Sequence, residues 1–187
     1  MGMLTQEKIK KIGFKSLGEN ISISDKAQFY GAENISLGDN VRIDDFCILS
    51  SGKEIKIGSY VHIACHSSII GKGAVTISDF AGLSSRVSIY SSSDDYSGEY
   101  LTNPTVPSKF SNVNNDDVFL GKHVIIGCGS VILPGTHIAN GVAIGALSLV
   151  NKNCEEFYIY AGNPAKRIKP RKRNLIDLEK ELLNSIK

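Results

Sequence analysis

Residues 120–150 read LGKHVIIGCGSVILPGTHIANGVAIGALSLV, with a large aliphatic residue at every sixth position. A six-residue period fits neither the 3.6-residue helix nor the two-residue strand, so no single regular element produces it. Hexapeptide repeats of this kind indicate a parallel β-helix, in which short strands and tight turns wind into stacked coils. The large aliphatic residues that mark the period are Leu120, Ile126, Ile132, Ile138, Ile144 and Val150.

Upstream of residue 90, the same pattern recurs with a 20-residue coil. Each of these coils has two hexads and one octad, whose two extra residues fall at one corner, near the Gly-containing runs 50–54 and 71–74. The pattern predicts an all-β solenoid of about six coils, ~29 Å tall at ~4.8 Å per coil. The three repeating sets are Leu17, Leu37, Ile57 and Ile77; Ile23, Ile43, Ile63 and Leu83; and Phe29, Leu49, Ile69 and Ile89.

These repeats resemble the hexapeptide-repeat acyltransferases, whose fold is a left-handed parallel β-helix. The left hand follows only from this resemblance, because ordinary parallel crossovers are right-handed. The chain looks most like the galactoside, maltose and xenobiotic acetyltransferases. The resemblance implies one acyltransferase domain over residues 1–187, with an N-terminal cap at 1–16, a β-helix at 17–154 and a coenzyme A-binding tail with a helix at 155–187.

Composition and charge narrow the class of protein. The net charge of +2 is too small for a nucleic-acid reader, but residues 166–187 hold eight Lys or Arg against three acids, so an anion site is expected near that end. The N-terminus lacks the apolar core of a signal peptide, and no apolar run approaches membrane-spanning length. We therefore expect a cytoplasmic protein without a membrane span. The cysteines, interpreted as buried thiols without zinc spacing, are Cys47, Cys65, Cys128 and Cys154.

Three segments depart from the repeat. Residues 4–11 predict a short helix that caps the first coil, with Thr5 as its N-cap. Residues 90–117 are rich in Ser, Asn, Asp and Pro, and a loop of this length is often functional. Residues 175–186 predict a helix that packs on the protein's own trimer. Its apolar face would contain Leu175, Leu178, Leu182 and Ile186.

Acyl transfer from a thioester needs a base, oxyanion donors and an anchor for the anionic carrier. In the enzymes that the chain resembles, the base is a histidine within the long loop, but this loop contains none. The candidate bases are therefore His62 and His66, which take outward positions on one coil, with Asp94 or Asp95 from the loop as the orienting acid. His123 is a third candidate, and His137 is expected to be incidental.

More of the family's residues can be matched to this chain for binding of the acyl donor than for catalysis. The resemblance implies that small residues present their backbone along a pantetheine groove, although hexads require small residues there for structural reasons as well. It also implies that a second group contacts the phosphates and adenine of coenzyme A, although a basic tail can simply be solvated. The first group is Gly127, Cys128, Gly145 and Ala146, and the second is Asn151, Lys152, Lys166 and Lys169.

These observations predict an acetyl-CoA-dependent O-acetyltransferase of a sugar hydroxyl, because residues 91–107 resemble the loop of enzymes that modify bacterial surface polysaccharides. It would need no metal. The alternative is an N-acetyltransferase of a nucleotide-linked amino sugar. A γ-class carbonic anhydrase-like zinc enzyme, which needs three histidines across an interface, and a non-catalytic scaffold are further alternatives. We expect a homotrimer, because the outward apolar residues Phe46, Tyr60 and Phe80 are predicted near the loop.

Overall fold

The computed structural model describes residues 2–186 and confirms the predicted parallel β-solenoid. Three parallel sheets form the three sides of a prism, which has six complete coils and a partial seventh. In each coil the chain passes through the first, second and third sheet in turn. We call the turn from the first sheet to the second the first corner. The second corner joins the second sheet to the third, and the third corner leads to the next coil.

The strands follow the sequence periods. The first sheet contains Ser16–Leu17, Ile35–Leu37, Ile55–Ile57, Val75–Ile77, Val118–Leu120 and His137–Ile138. The second contains Ser22–Ile23, Arg42–Ile43, His62–Ile63, Gly82–Leu83, Ile125–Ile126, Ala143–Ile144, Tyr158–Ala161 and the antiparallel Lys166–Pro170. The third contains Gln28–Tyr30, Ile48–Ser51, Ser68–Gly71, Ser88–Tyr90, Val131–Ile132 and Leu149–Val150.

Stacked aliphatic residues fill the prism. In the second sheet the inward position of successive coils is occupied by a buried aliphatic residue, as the period predicts. Each such side chain contributes roughly 1.5–3 kcal/mol by leaving water, which favours the coil-on-coil arrangement. Cys47 and Cys154 occupy inward positions too, and burial raises the pKa of each thiol to about 11. Cys128 is exposed and Cys65 is partly exposed, so the prediction of four buried thiols holds for only two.

Helices lie at both ends of the chain. Helix α1 spans Gln6–Lys11, with Thr5 Oγ1 accepting from the Lys8 amide at 3.4 Å, and Ile9 is buried against the first coil. Helix α2 spans Leu175–Ser185. Neither helix of the described chain has the length and apolar character needed to cross a membrane.

Helix α2 is attached to the first corner by polar contacts. His123 Nε2 lies 2.6 Å from Glu179 Oε2, and Lys122 Nζ lies 3.2 Å from Glu179 Oε1. Partial burial acts to raise the pKa of Glu179, but the bonds with His123 and Lys122 outweigh it and hold the pKa below its usual value. The apolar side chains of Leu178, Leu182 and Ile186 stay exposed on this chain, so their packing in a trimer remains a prediction.

The long loop leaves at the third corner, where the upstream coils have their two extra residues, and it has some structure of its own. Ser92–Ser93 pairs antiparallel with Asn114–Asn115 at the base of the loop, and Ser108–Phe110 forms a 3-10 turn within it. A second 3-10 turn, Ala32–Asn34, occupies the same corner of an earlier coil. The Asp116 amide donates to the Ser91 carbonyl at 3.1 Å, which closes the loop where it leaves the prism.

Aromatic side chains stack at the other two corners. Tyr60 and Phe80 stack at 4.8 Å on the first corner, and Phe46 stacks on His66 at 4.9 Å on the second. All four adopt left-handed backbone conformations with φ between 58° and 61°, which bulky residues rarely do. The prediction that Phe46, Tyr60 and Phe80 lie near the loop is therefore wrong, because the loop leaves from the third corner.

Candidate active site

A column of small residues runs up the second corner, at the position that follows the inward residue of each second-sheet strand. Successive members are hydrogen-bonded neighbours of the next coil: the Ser84 amide donates to Ile126 O at 2.9 Å, and the Gly145 amide to Tyr160 O at 2.8 Å. A Cβ on Gly127 would lie 2.4 Å from the Ala146 amide nitrogen, so no side chain fits there. This small-residue column consists of Ala64, Ser84, Gly127, Gly145 and Ala161.

A cavity of about 290 Å³ opens at the lower end of the column. Gly82 occupies the outward position between His62 on the coil below and Ile125 on the coil above. A Cβ built on Gly82 would meet nothing within 4 Å, so the missing side chain leaves open space between those two residues. The cavity is lined by His62, Ala64, Gly82, Leu83, Ser84, Ser85 and Ile125.

His62 is held by an acid that the sequence did not suggest. Its Nε2 lies 2.9 Å from Asp44 Oδ2, and Asp44 Oδ1 accepts from Arg42 Nε at 2.8 Å. Partial burial acts to raise the pKa of Asp44, but the hydrogen bonds from Arg42 and His62 outweigh it and hold the pKa below its ordinary value. The Asp44 side chain is 9% exposed and stays ionised at neutral pH, whereas the His62 side chain is 49% exposed and faces the cavity. Within the described chain the acid bonded to His62 is Asp44, and the orienting role expected of Asp94 or Asp95 stays a prediction.

The upper end of the column meets a basic strand, Lys166–Pro170. Lys166 pairs with Ala161 and Lys169 with Ile159, so the basic strand continues the second sheet by one more strand. Four strand spacings separate it from Ser84, or ~19 Å at ~4.8 Å each. The small-residue column thus connects an exposed cationic strand to the cavity beside His62.

Half of the basic residues at 166–173 have structural partners. Arg167 pairs with Glu155 at 2.9 Å, and the Arg173 guanidinium lies 4.1 Å from the Phe157 ring centroid. Arg171 donates to the carbonyls of His123 and Gly141, and burial lowers its pKa. Lys166 and Lys169 are exposed, and neither forms an ion pair with any residue that the structure describes. Of the residues that were expected to bind an anion, Lys166 and Lys169 are therefore the ones that we retain as candidates.

The loop forms a second and larger cleft, of about 680 Å³, against the third corner. Asp94 lines it and is exposed, and its carboxylate has no hydrogen-bond partner in the described part of the chain. Asp95 instead accepts from Ser97 Oγ at 2.9 Å and from the Gly98 amide at 3.1 Å, which is a turn-capping arrangement. The cleft is also lined by Ser50, Ser51, Ile70, Lys72, Asn103 and Ser108.

The structure separates the remaining predicted residues. His66 lines neither cavity, His123 is bound to Glu179, and His137 stacks on Phe119 at 4.6 Å. Cys128 and Ala146 lie on the second corner beside the small-residue column. Within one chain, neither His62 nor His66 meets Asp94, because the third sheet lies between the second corner and the loop. The other two residues predicted to contact coenzyme A, Asn151 and Lys152, are exposed at the third corner and lie away from the small-residue column.

Three residues of the site were not predicted from the sequence: Asp44, Gly82 and Ser84. Gly82 could have been noticed from the 20-residue period. The equivalent outward positions in the three preceding coils hold Ser22, Arg42 and His62, which all have side chains. Ser84 follows two residues later in the same register. Asp44 precedes His62 by 18 residues, and the register alone does not show that its side chain turns towards the coil above.

Comparison with known proteins identifies relatives over nearly the whole chain. No protein-family model matches it. It is 58% identical over 180 residues to a dTDP-4-amino-4,6-dideoxy-D-glucose acyltransferase of Escherichia coli, covering 96% of this chain and 94% of the relative. Among solved structures it resembles AntD, an N-acyltransferase from Bacillus cereus.

Two AntD complexes are informative. An S84A variant, with dTDP-4-amino-4,6-dideoxyglucose and coenzyme A, has a TM-score of 0.96 and 47% identity, covering 98% of each chain. A complex with dTDP and 3-hydroxybutyryl-CoA has a TM-score of 0.96 and 47% identity, covering 100% of this chain and 99% of that one. Other AntD structures carry substitutions at D94.

These relatives correct the functional prediction. The expected O-acetylation of a sugar hydroxyl is wrong, because the similar proteins are named for acylation of an amino sugar or as N-acyltransferases. The findings favour the alternative, an N-acyltransferase of a nucleotide-linked amino sugar. No group of three or more His, Cys, Asp or Glu side chains among residues 2–186 is arranged to hold a metal ion. The chain is an enzyme and belongs to the hexapeptide-repeat β-solenoid acyltransferases, together with AntD and the Escherichia coli sugar acyltransferase.

Proposed function

We propose that this enzyme transfers an acyl group from acyl-coenzyme A to the 4-amino group of a dTDP-linked 4-amino-4,6-dideoxy sugar. The observation that carries the proposal is the small-residue column, which leads from a cationic strand to a cavity containing His62 and Ser84. The acceptor comes from the relatives, one named for that amino sugar and one solved with it.

Coenzyme A would lie extended along the small-residue column. Lys166 and Lys169 would bind its phosphates by charge-assisted hydrogen bonds, because both are exposed at the upper end of the column. The backbone at Gly127, Cys128, Gly145 and Ala146 would contact the pantetheine arm, whose thioester would then reach Ser84 ~19 Å below the basic strand.

The reaction needs one bond formed, one broken and one proton moved. The sugar amine attacks the thioester carbonyl carbon, the new C–N bond forms, and the C–S bond breaks to release the coenzyme A thiolate. His62, oriented by Asp44, would take the amine proton and return it to the thiolate. Ser84 Oγ has no hydrogen-bond partner among the described residues, so it can donate to the carbonyl oxygen as negative charge develops there.

A homotrimer would complete this site. Asp94 lies in the loop cleft, and the third sheet separates it from Ser84 within one chain. A threefold arrangement of parallel prisms would bring the loop of one copy against the second corner of its neighbour. Asp94 would then hold the sugar amine, and Asn151 and Lys152 at the third corner would reach the adenine end of the neighbour's coenzyme A. AntD variants at S84 and D94 support this reading, because this chain has Ser84 and Asp94 with the same separation.

The direct test is turnover of acetyl-CoA with a panel of nucleotide sugars, followed by mass spectrometry. We expect acylation of dTDP-4-amino-4,6-dideoxyglucose and none of dTDP-glucose, which has a hydroxyl at the same carbon. Mass detection is preferable to a thiol reagent because Cys128 is exposed and would react with the reagent. Turnover of only the hydroxyl acceptor would contradict the proposal.

The donor site gives a second prediction. Replacing Lys166 and Lys169 together by Ala should raise the KM for acyl-CoA several-fold and weaken its dependence on salt, because two phosphate contacts are lost. The matched control removes the exposed lysines Lys10 and Lys56, which lie on the N-terminal helix and the first sheet. Equal donor KM values in the two double variants would show that the basic strand is only a solvated segment.

A further inference from the structure

One outward position of the second sheet, beside the proposed path of the donor, lacks a side chain. Gly82 stands between His62 and Ile125, and the other residues in this position carry side chains: Ser22, Arg42, His62, Ile125, Ala143 and Ile159. The backbone of Gly82 does not adopt a positive φ, and a Cβ there would meet no atom within 4 Å. Neither backbone conformation nor packing therefore requires glycine at this position.

Glycine within a strand weakens it and often marks the close approach of a ligand. Gly82 precedes Ser84 by two residues, or ~6.6 Å along an extended parallel strand. A thioester carbonyl at Ser84 would therefore direct its acyl chain along the strand and over Gly82. The space there has an apolar wall at Ile125, which is 44% exposed, and a polar wall at the imidazole of His62.

We propose that the open space over Gly82, the Gly82 gap, is the acyl pocket, and that Gly82 sets the length of acyl chain that the enzyme accepts. The gap gives room for acyl groups of about four carbons, including a 3-hydroxyacyl chain, in addition to acetyl; an extended four-carbon chain covers more than half of the distance from Ser84 to Gly82, so its end would reach the gap. This inference rests on the proposed function, because it assumes that acyl-coenzyme A binds along the small-residue column.

The test compares acetyl-, butyryl- and 3-hydroxybutyryl-CoA as donors to dTDP-4-amino-4,6-dideoxyglucose, in the wild-type enzyme and in Gly82→Ala and Gly82→Val. The wild type should use all three donors with kcat/KM values within about tenfold of each other, since the gap admits the longer chains. Gly82→Val should lower kcat/KM for both four-carbon donors at least roughly tenfold more than for acetyl-CoA. Gly82→Ala should give a loss between those of the wild type and Gly82→Val.

The control is Ser22→Val, which adds a branched side chain at the same outward position three coils below, and it should leave the donor preference unchanged. A wild type that uses acetyl-CoA but rejects both four-carbon donors would overturn the inference and leave the proposed function standing. An equal loss for all donors in Gly82→Val, with a raised acceptor KM, would also overturn it, since the gap would then hold the sugar. Absence of turnover with every donor and amino acceptor would instead reject the proposed function.

Discussion

Replacing His62 by Ala should lower kcat by about 10²- to 10⁴-fold, because a general base typically contributes this much to a proton-transfer step. The His62 imidazole faces the cavity where the thioester is proposed to lie. The KM for acyl-CoA should change little, since the proposed donor contacts lie on the basic strand and the small-residue column. Steady-state kinetics with saturating amino sugar measure both quantities.

Two companion variants separate the base from its surroundings. His66→Ala, one turn away and outside both cavities, should keep near-normal kcat. Asp44→Asn should lower kcat less than His62→Ala does, because it removes the orienting carboxylate and keeps the imidazole. If His62→Ala retains near-normal kcat, the enzyme works by positioning an amine that is already nucleophilic, and the base assignment is wrong.

Co-expression of two inactive variants should restore activity if the site is shared between chains. Ser84→Ala and Asp94→Ala should each be severely impaired alone, whereas trimers assembled at random from equal amounts should recover about a quarter of the wild-type sites, and purified mixed trimers about a third. The physical reason is that one intact site would take Ser84 from one copy and Asp94 from the next. Tagging the two variants differently allows the mixed species to be purified before turnover is measured.

The matched control for this experiment pairs Ser84→Ala with His62→Ala. Both residues line the same cavity of one chain, so mixing them should restore nothing. Recovery of activity in the control pair, or no recovery of activity in the Ser84 and Asp94 pair, would contradict the proposed sharing of the site between neighbouring chains. Light scattering on each sample would show directly whether the protein is a trimer.

The fold was predictable because each coil of a solenoid repeats the same short sequence period. The aliphatic residues at 20-residue spacing, such as Ile43, Ile63 and Leu83, are paired with one another in adjacent strands. The spacing in the sequence therefore gives the pairing of the strands directly. The loop was found for the same reason, as the place where the period stops. The aromatic residues Phe46, Tyr60 and Phe80 were placed wrongly although the same register locates them, because each lies three residues after an aliphatic residue of the first or second sheet and so at a corner without the loop.

The site was less predictable because its decisive contacts cross coils through side chains. Asp44 and His62 meet because both side chains turn towards each other from adjacent coils, and a period does not contain that information. Acceptor chemistry was harder still. A base, a thioester groove and a polar loop suit a hydroxyl and an amine alike, and only the similarity to amino-sugar acyltransferases distinguished them.

The bond formed in the product distinguishes N-acylation from O-acylation. Carbon-13-labelled acetyl-CoA and dTDP-4-amino-4,6-dideoxyglucose would be turned over by the wild-type enzyme, and the product examined by NMR before and after treatment with hydroxylamine. We predict an amide at the sugar 4-position, with its carbonyl coupled to one N–H and resistant to hydroxylamine. A labelled ester on a ring hydroxyl, removed by hydroxylamine, would contradict the account.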